Sequence, residues 1–178
     1  SIRTGAFSGK LAAAAAKELA LNDADVTLIS LADYPLPIFN ADEEKAAGVP
    51  DSGRKLAQQI AAHQGVFIAT PEYNNSPPPL LSNAISWVSR VKDSEIQYRE
   101  RIYAVGSSAP GQYGGARALH DLRKLIHNGL GGILLADKVE VPNAKDAFDE
   151  SGNLIAEAAR PRLTRLSKNL VKYAARLA

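Results

Sequence analysis

Short apolar segments rich in β-branched residues alternate along this chain with stretches of helical periodicity, and this alternation constrains the fold more than any other feature. Strands are predicted over residues 26–31, 65–70, 101–107 and 132–136. Helices are predicted over residues 8–21, 51–63, 79–91, 115–128 and 156–177. Such alternation is typical of a parallel sheet covered by helices on both faces. The sequence therefore predicts a doubly wound α/β fold, with residues 1–178 forming a single domain.

The amino end of the chain reads as a loop, Ser1 to Gly5, that leads into a helix with no strand before it. In doubly wound sheets the first strand lies centrally, and ligands bind beyond the carboxyl ends of the strands, where the strand order reverses. The sequence also contains no methionine, at position 1 or elsewhere. We therefore expect that the natural protein has several upstream residues, which include the first strand.

Composition excludes several classes of protein. Hydrophobic residues make up 46% of the 178 residues and charged residues 22%, as in ordinary globular proteins. The net charge is +2 and the charges are dispersed, so no nucleic-acid-binding surface is predicted. The absence of cysteine excludes disulfides, a thiolate nucleophile and zinc–cysteine sites. No apolar run has the ~20 residues of a membrane span, so we expect no membrane partner. Because cysteine is absent, we expect the protein to be cytoplasmic.

The segment that opens the chain has the residue types of a phosphate-binding loop. Its candidate ligand residues are Ser1, Arg3 and Ser8. The free N–H groups and positive dipole end of the following helix attract anions, and Gly5 lets the backbone approach closely. The alternative is that Ser8 only caps the helix. The spacing of Gly5 and Gly9 does not match a P-loop.

A second candidate loop, residues 70–79, follows the predicted strand 65–70. Its candidate ligand residues are Pro71, Glu72, Tyr73, Asn74 and Ser76. An aromatic face beside amide and hydroxyl groups fits a planar heteroaromatic ligand whose edge needs donors and acceptors. The alternative is a proline-rich turn that caps the next helix and fills its first turn with prolines.

A third candidate loop, residues 106–117, follows the predicted strand 101–107. Its candidate ligand residues are Ser107, Gly111, Gly114 and Gly115. Glycines allow the backbone to approach a flat ligand closely. Their spacing differs from that of the dinucleotide-binding fingerprint. The alternative is a flexible loop without a ligand. All three loops follow strands or precede helices at one edge of the predicted sheet, so we expect them to converge on a crevice for a phosphorylated, planar cofactor. The pattern predicts neither a metal site nor a catalytic side chain.

These loops resemble motifs of the NAD(P)H-dependent FMN reductase family, whose flavodoxin-like members include quinone, chromate, azo-dye and ferric-chelate reductases. The first loop is similar to the family's Gly-Ser-Leu-Arg-x-x-Ser-x-Asn sequence, although Ala6 and Ser8 stand where serine and asparagine are usual. Residues 70–87 are similar to the family's most specific motif, and residues 36–40 are similar to its Leu-Pro-Leu-Tyr-Asn stretch. The resemblance extends over residues 1–141.

The resemblance implies a flavodoxin-like, doubly wound parallel sheet of five strands and a non-covalently bound FMN. Ser1, Arg3 and Ser8 would hold the phosphate, residues 71–74 would flank the ring, and Ser107 with residues 111–115 would close its other side. It also implies ping-pong hydride transfer from NAD(P)H, the co-substrate, to a small-molecule electron acceptor such as a quinone or free flavin. A homodimer or homotetramer is implied as well. The candidate interface is the helix that contains Trp87 and Arg90. The alternative for Trp87 is a place in the hydrophobic core.

Two other functions stay open. A flavodoxin-type FMN electron carrier would be reduced by a partner protein, but such carriers are usually strongly acidic, whereas the isoelectric point here is about 8.8. A non-enzymatic scaffold or sensor would keep the fold after losing the cofactor, which the altered phosphate loop permits. The sequence distinguishes neither NADH from NADPH nor one acceptor from another.

Overall fold

The computed structural model describes residues 1–93 and 96–177 and contains six α-helices and three strands within them. The helices are α1 (Phe7–Ala20), α2 (Ala41–Ala47), α3 (Asp51–Ala61), α4 (Pro79–Val88), α5 (Ala116–Lys124) and α6 (Arg160–Ala174). The strands are β1 (Gly65–Thr70), β2 (Ile102–Ser108) and β3 (Ile133–Val141). A 3₁₀ turn spans Leu31–Asp33, and α5 continues as a π-helical turn over Leu125–Leu130.

The three strands form one parallel sheet in the order β1–β2–β3. The register pairs Gly65 with Ile102 and Thr70 with Ser107 between β1 and β2. Between β2 and β3 it shifts after Tyr103, so that Val105 pairs with Lys138. Because all strands are parallel, their carboxyl ends, and the loops that follow them, lie at the same edge of the sheet.

Helices cover both faces of the sheet, as the alternation predicts. One hydrophobic core, which includes Leu11 and Leu166, lies where α1 and α6 cover the sheet. A second core, which includes Leu56, Ile85 and Leu119, lies under α3, α4 and α5. Central strand β2 is buried at every position because its neighbours and both helical layers surround it.

The central strand β2 has a glycine, Gly106, at a position where side chains of β1 and β3 leave no room for a larger residue. A Cβ atom there would lie 2.8 Å from Phe67 Cζ of β1 and 2.8 Å from Val139 Cγ1 of β3. Side chains from the two outer strands therefore approach each other across β2, and any larger residue would displace one of them.

The predicted strand 26–31 is not formed in this structure, and the sheet of the described residues has three strands. Residues 24–30 belong to no strand, Ser30 has extended backbone angles (φ −116°, ψ 137°), and the 3₁₀ turn begins at Leu31. A strand is stabilised by hydrogen bonds to a neighbour. Here a groove separates residues 24–31 from β1, so the extended segment has no ladder to join.

Other differences concern the ends of elements. The helix predicted over 79–91 ends at Val88, the one predicted over 156–177 begins at Arg160, and the strand predicted to end at Ala136 continues to Val141. Helix α2 lies in a stretch where no helix was expected, and the Asn40 side chain caps it by accepting a hydrogen bond from the N–H of Asp42 at 2.9 Å. Over residues 1–93 and 96–177, no helix combines the length and apolar character of a membrane span.

Candidate functional site

The loop after β1 contains a tight turn that fixes two candidate residues. Tyr73 N–H donates to Ser76 O at 2.9 Å, and Ser76 N–H donates to Tyr73 O at 3.0 Å. The intervening Asn74 and Asn75 both have positive φ angles, 50° and 63°, which is the conformation of a type I′ turn and one that asparagine tolerates. The turn therefore holds the Tyr73 ring, 45% exposed, in a fixed position above the carboxyl end of β1.

Glu72 connects this loop to the start of α5. Its Oε2 atom accepts hydrogen bonds from Arg117 N–H and Ala118 N–H, both at 3.0 Å. The residue before α5 is Gly115, which has no side chain to cap the helix. A carboxylate at a helix N-terminus is favoured by the free N–H groups and the dipole, so Glu72 supplies the missing cap from 45 residues away.

A hydrogen bond from Ser107, near the carboxyl end of β2, holds the glycine-rich loop that follows this strand. The buried Ser107 hydroxyl donates to Gly114 O at 2.7 Å. Gly114 and Gly115 have φ angles of +57° and +82°, and a Cβ at Gly114 would lie 2.7 Å from Pro142 N. These residues are therefore required by the loop's own packing, whereas a Cβ at exposed Gly111 would meet nothing within 4 Å.

The loop that opens the chain touches the loop after β1. The hydroxyls of Ser1 and Tyr73 are hydrogen-bonded at 3.0 Å. The α-amino group of Ser1 donates to Ser8 Oγ at 3.5 Å, and Arg3 N–H donates to Ser1 Oγ at 3.3 Å. Burial lowers the pKa of the Ser1 α-amino group, because partial removal from water disfavours its charged form.

Helix α1 begins without a side-chain cap. Its N-cap residue is Ala6, no side chain bonds the first N–H groups, and its first turn contains no acidic residue. Ser8 lies inside the helix, so the alternative in which Ser8 caps it does not apply. Arg3 is exposed beside this end, with its guanidinium 5.9 Å from the centre of the Phe7 ring. The arrangement favours an anion at the start of α1.

Arg117 is a further candidate site residue, which the sequence analysis did not select. Its Nη1 atom donates to Asn75 Oδ1 at 3.3 Å, and its guanidinium lies 5.0 Å from the centre of the Tyr113 ring. It therefore contacts side chains of both the loop after β1 and the glycine-rich loop. The sequence contained one signal for this residue: Arg117 follows Gly114 and Gly115 closely and lies in the first turn of a predicted helix that follows a strand.

The structure thus brings the three predicted loops together at one edge of the sheet. Ser1 contacts Tyr73, and Glu72 contacts the first turn of α5. Among the predicted site residues, the side chains that form hydrogen bonds in the described part of the chain include those of Ser1, Arg3, Ser8, Glu72, Tyr73, Ser76 and Ser107. Arg3, Tyr73, Asn74, Ser76 and Gly111 are exposed, Ser1, Pro71 and Glu72 are partly buried, and Ser8, Ser107, Gly114 and Gly115 are buried.

The rim of the site carries a charged carboxylate. Lys124 Nζ lies 2.7 Å from Asp121 Oδ1, and this hydrogen bond, the largest cause, lowers the pKa of Asp121. Ser76 Oγ donates weakly to the same carboxylate at 3.5 Å. In residues 1–93 and 96–177 no three acidic, histidine or cysteine side chains are grouped as a metal site.

The two residues of the candidate interface differ in exposure. Trp87 is 1% exposed and its Nε1 atom donates to Pro37 O at 2.8 Å, so of its two predicted roles the structure shows the core. The Arg90 side chain is 47% exposed. Its Nε atom lies 3.6 Å from Glu44 Oε2, and its guanidinium lies 5.0 Å from the centre of the Phe39 ring.

Comparison with known proteins gives a consistent result. The family model described as NADPH-dependent FMN reductase matches residues 1–146. A quinone reductase of Escherichia coli K12 is 37% identical over 126 residues, which cover 71% of this chain and 65% of that protein. The match thus spans a little under two thirds of that relative. A 2-hydroxy-1,4-benzoquinone reductase of a Burkholderia species is 31% identical over 177 residues, which cover 98% of this chain and 91% of that protein.

Among solved structures, the flavoenzyme NAD(P)H:(acceptor) oxidoreductase of Paracoccus denitrificans is similar over nearly the whole chain. The TM-score is 0.79 at 26% identity, with 99% of this chain and 93% of the other covered. An NAD(P)H:quinone oxidoreductase of Methanothermobacter marburgensis, at 15% identity, has the same fold with a TM-score of 0.67, over 94% of this chain and 90% of the other. The predicted flavodoxin-like α/β fold is confirmed.

Proposed function

Because the chain belongs to the NADPH-dependent FMN reductase family, we propose that it is an oxidoreductase that uses NAD(P)H to reduce small electron acceptors through bound FMN. Quinones are the first acceptors to test, since the names of several similar proteins contain this substrate class. Free flavin, azo dyes, chromate and ferric chelates follow. The observation that carries the proposal is the convergence of three loops, one of them at an uncapped helix start, on one edge of the sheet.

The start of α1 suits the phosphate of FMN. The first turn offers N–H groups without a competing side-chain cap or carboxylate, and the exposed Arg3 adds a positive charge. Ser1 and Ser8 supply hydroxyls beside it. These three residues would hold the phosphate, and the alanine at position 6 leaves more of the binding to the backbone.

The other two loops suit a flat ring. The Tyr73–Ser76 turn presents an aromatic side chain and the exposed Asn74 amide, and the open space at Gly111 lets a ligand approach the opposite backbone. When bound there, FMN supplies the hydride and electron chemistry. The Gly114 N–H group already donates to Gly111 O at 3.2 Å, so other N–H groups of the loop and the charge of Arg117 would favour negative charge at the nearby edge of the ring.

The protein side chains then act by binding and orientation. Glu72, the carboxylate that follows β1 most closely, already accepts two backbone N–H groups and is committed to capping α5. A carboxylate oxygen that is engaged by two backbone donors is poorly placed to exchange a proton with a ligand. This supports a reaction in which no side chain serves as general acid or base.

The direct test is anaerobic stopped-flow absorbance of the FMN-loaded protein mixed with NADH or NADPH. Rapid bleaching of the visible flavin band, followed by re-oxidation with a quinone, is expected. If FMN binds and neither nucleotide reduces it, the electron-carrier function replaces the enzyme. If FMN does not bind, the scaffold function replaces both.

A variant of Glu72 tests whether its hydrogen bonds to α5 support FMN binding. Glu72→Gln keeps the size of the side chain and removes the charge that holds the loop after β1 to α5. We expect the dissociation constant for FMN to rise about fivefold, which corresponds to the loss of a helix cap of about 1 kcal/mol. Glu157→Gln changes an exposed carboxylate elsewhere and is expected to leave FMN affinity unchanged. Equal affinities of the two variants would contradict the proposed role of Glu72.

We also propose a homodimer or homotetramer in the cytoplasm, with Arg90 at the contact. Arg90 is exposed beside Phe39, and the neighbouring Ile38 is 87% exposed, which leaves an apolar and cationic surface uncovered. Sedimentation of the wild-type protein and of Ile38→Asp tests this. A lower association state of the variant is expected, and a monomeric wild-type protein contradicts the proposal.

A further inference from the structure

The segment from Arg160 to Arg176, which comprises α6 and the turn after it, is strongly basic. It contains six of the 21 lysine and arginine residues of the chain and none of the 19 acidic residues. The remainder of the chain has 15 basic and 19 acidic residues and therefore a net charge of −4. The charges are dispersed along the sequence as a whole, but the fold places a basic helix on an otherwise acidic molecule.

Four of these basic residues form a line along the outer side of α6, which we call the basic stripe. They are exposed and spaced three or four residues apart, at Arg165, Lys168, Lys172 and Arg176. The opposite side of the helix is buried in the core at Leu166 and Leu170. At 1.5 Å per residue the basic stripe is about 16 Å long.

Most of the basic stripe has no countercharge. Arg165 Nε lies 2.9 Å from Asp137 Oδ1, but in residues 1–93 and 96–177 no carboxylate forms an ion pair with the other three side chains. Lys172 Nζ and Arg176 Cζ lie 5.7 and 5.2 Å from the centre of the Tyr173 ring. That ring is uncharged and leaves both cations unneutralised.

The helix dipole does not account for this composition. Cations stabilise the last turn of a helix and destabilise the first. Helix α6 nevertheless begins with Arg160 and Arg162, and its first turn has no acidic residue. Helix α2, in contrast, has Asp42, Glu43 and Glu44 in its first turn. The charges of α6 therefore do not follow the pattern that stabilises a helix by itself.

The basic stripe also lowers the stability of α6. Lys168 and Lys172 are four residues apart, as are Lys172 and Arg176, and like charges at this spacing repel each other. Negative charge supplied by a binding partner would remove this repulsion. The arrangement therefore favours an anionic partner along the outer side of α6.

The shape of the basic stripe favours a flat partner. The helix is held in the core along its inner side and presents a straight, convex outer side. A planar anionic surface contacts such a line over its whole length. A nucleic-acid duplex is itself convex, and its phosphates wind around the axis, so that a straight line of cations meets few of them. Clusters of four or more lysine and arginine residues on a helix are typical of proteins that bind anionic lipids.

The end of the basic stripe has side chains that suit a lipid surface. Tyr173 is 38% exposed and lies between Lys172 and Arg176, and the neighbouring Leu177 is 39% exposed. Tyrosine is enriched at membrane–water interfaces, where its ring meets apolar chains and its hydroxyl meets water. Cations for the headgroups and apolar atoms for the layer beneath them are therefore adjacent.

We propose that the basic stripe of α6 binds the surface of an anionic lipid bilayer and attaches the protein peripherally, with no segment across the membrane. The sequence analysis expects no membrane partner because the chain has no apolar span. A surface contact requires no span, since lysine and arginine side chains on a folded helix are attracted by the headgroups. Because the remainder of the chain is acidic, the same charge would orient the molecule with α6 towards the lipid.

Attachment through α6 leaves the candidate site accessible. The site lies at the carboxyl edge of the sheet, whereas α6 covers one face. Leu170 packs beside Gly65 at the amino end of β1, so the part of the basic stripe without ion pairs is remote from the site. The surface proposed for self-association, at Ile38 and Arg90, lies beside α4 in the opposite helical layer. Lipid binding and self-association therefore use different surfaces.

The test is sedimentation of the full chain with lipid vesicles at low salt. Vesicles of equal parts of phosphatidylglycerol and phosphatidylcholine are compared with vesicles of phosphatidylcholine alone. We expect the protein to bind the anionic vesicles and not the neutral ones. Because salt screens exposed charges, we expect the bound fraction to fall steeply as the salt concentration is raised to about 0.5 M.

Charge reversal locates the contact. Lys168→Glu combined with Lys172→Glu is expected to lower the partition coefficient for anionic vesicles at least about tenfold. The matched control, Lys45→Glu combined with Lys55→Glu, makes the same change in net charge at exposed positions of α2 and α3 and is expected to lower it less than about threefold. If the stripe variant does not fold, as judged by circular dichroism, glutamine at the same two positions is expected to weaken binding in the same direction.

Three results would overturn the proposal. The first is equal partitioning into anionic and neutral vesicles, including no binding to either. The second is an equal loss in the stripe and control variants, which would show that only the net charge matters. The third is release of the protein from anionic vesicles by a duplex oligonucleotide at an equal concentration of phosphate, which would assign the stripe to nucleic acid. None of these measurements requires FMN or turnover, so the outcome is independent of the proposed function.

Discussion

The two outer strands of the sheet have very different free edges. Strand β3 carries Asp137, Lys138 and Glu140 in its second half, and its residues vary between exposed and buried. Asp137 accepts hydrogen bonds from Arg165 Nε at 2.9 Å and from Asn169 Nδ2 at 2.7 Å. Strand β1 has the sequence Gly-Val-Phe-Ile-Ala-Thr, with no charged residue and no proline.

This difference separates an edge that is protected from one that needs cover. Charged side chains on an outer strand prevent pairing with other chains, and β3 has this protection. Strands that are covered on both faces and paired on both sides have continuous apolar sequences, and β1 has such a sequence. The composition of each strand therefore indicates whether it suits the edge or the interior of a sheet. Strand β3 has the composition of an edge strand, whereas β1 has that of an interior strand.

The largest expected effect is a difference in the free energy of unfolding between lysine variants of β1 and of β3. Ile68→Lys places a charge on β1 against the core and is expected to lower the free energy of unfolding by about 3 kcal/mol. Ile133→Lys makes the same change on β3, where the side chain is 50% exposed, and is expected to cost less than about 0.5 kcal/mol. Urea unfolding followed by circular dichroism gives both values.

The comparison would fail if the two lysine variants were equally stable. If Ile68→Lys does not fold, Ile68→Ala and Ile133→Ala provide the same comparison, and the first is again expected to be the more destabilised.

A smaller effect is expected on the far side of the groove. Thr27→Val removes the hydroxyl that is hydrogen-bonded to His63 and keeps the shape of the side chain. Since residues 24–30 have no ladder, this bond is one of the contacts that hold them, and we expect a loss of about 0.5–1 kcal/mol in thermal or urea unfolding. Thr164→Val, at an exposed position of α6, is the control. A loss no greater than that of the control would show that the segment is held by packing.

The smallest effect is expected at the protected edge. Asp137→Asn removes the ion pair with Arg165, whose side chain is 66% exposed, so we expect a loss of only about 0.5 kcal/mol at low salt. At about 1 M salt the difference from the wild type is expected to vanish. A loss that persists at high salt would indicate that Asp137 acts through its hydrogen bond from Asn169.

Local periodicity predicted most of the fold. The strands at β1, β2 and β3 and the helices around them follow from apolar spacing within each segment. The segment 26–31 has the composition of a strand and is not one, because strand formation depends on pairing with a neighbour and not on local composition alone.

Long-range contacts limited the prediction of the site in the same way. The three loops were found from their residue types and their positions after strands or before a helix. The capping of α5 by Glu72 joins residues 45 apart, and Arg117 reaches Asn75 over 42 residues. Neither contact leaves a signal in the residues around it, so the sequence could assign ligand-binding roles to Glu72, Ser107 and Gly114 but not their packing roles.

The missing side chain at Gly106 has a practical consequence for spectroscopy. The Phe67 ring and a Val139 methyl group both lie within 2.8 Å of the point where a Cβ would stand. Both residues also pack in the core that α1 and α6 cover, and an aromatic ring current shifts the resonance of a methyl group that packs beside the ring. A valine-labelled sample would therefore report any change in the orientation of Phe67 through the signal of Val139, a residue on the opposite strand. One methyl peak could follow events at the β1 edge without a label being placed there.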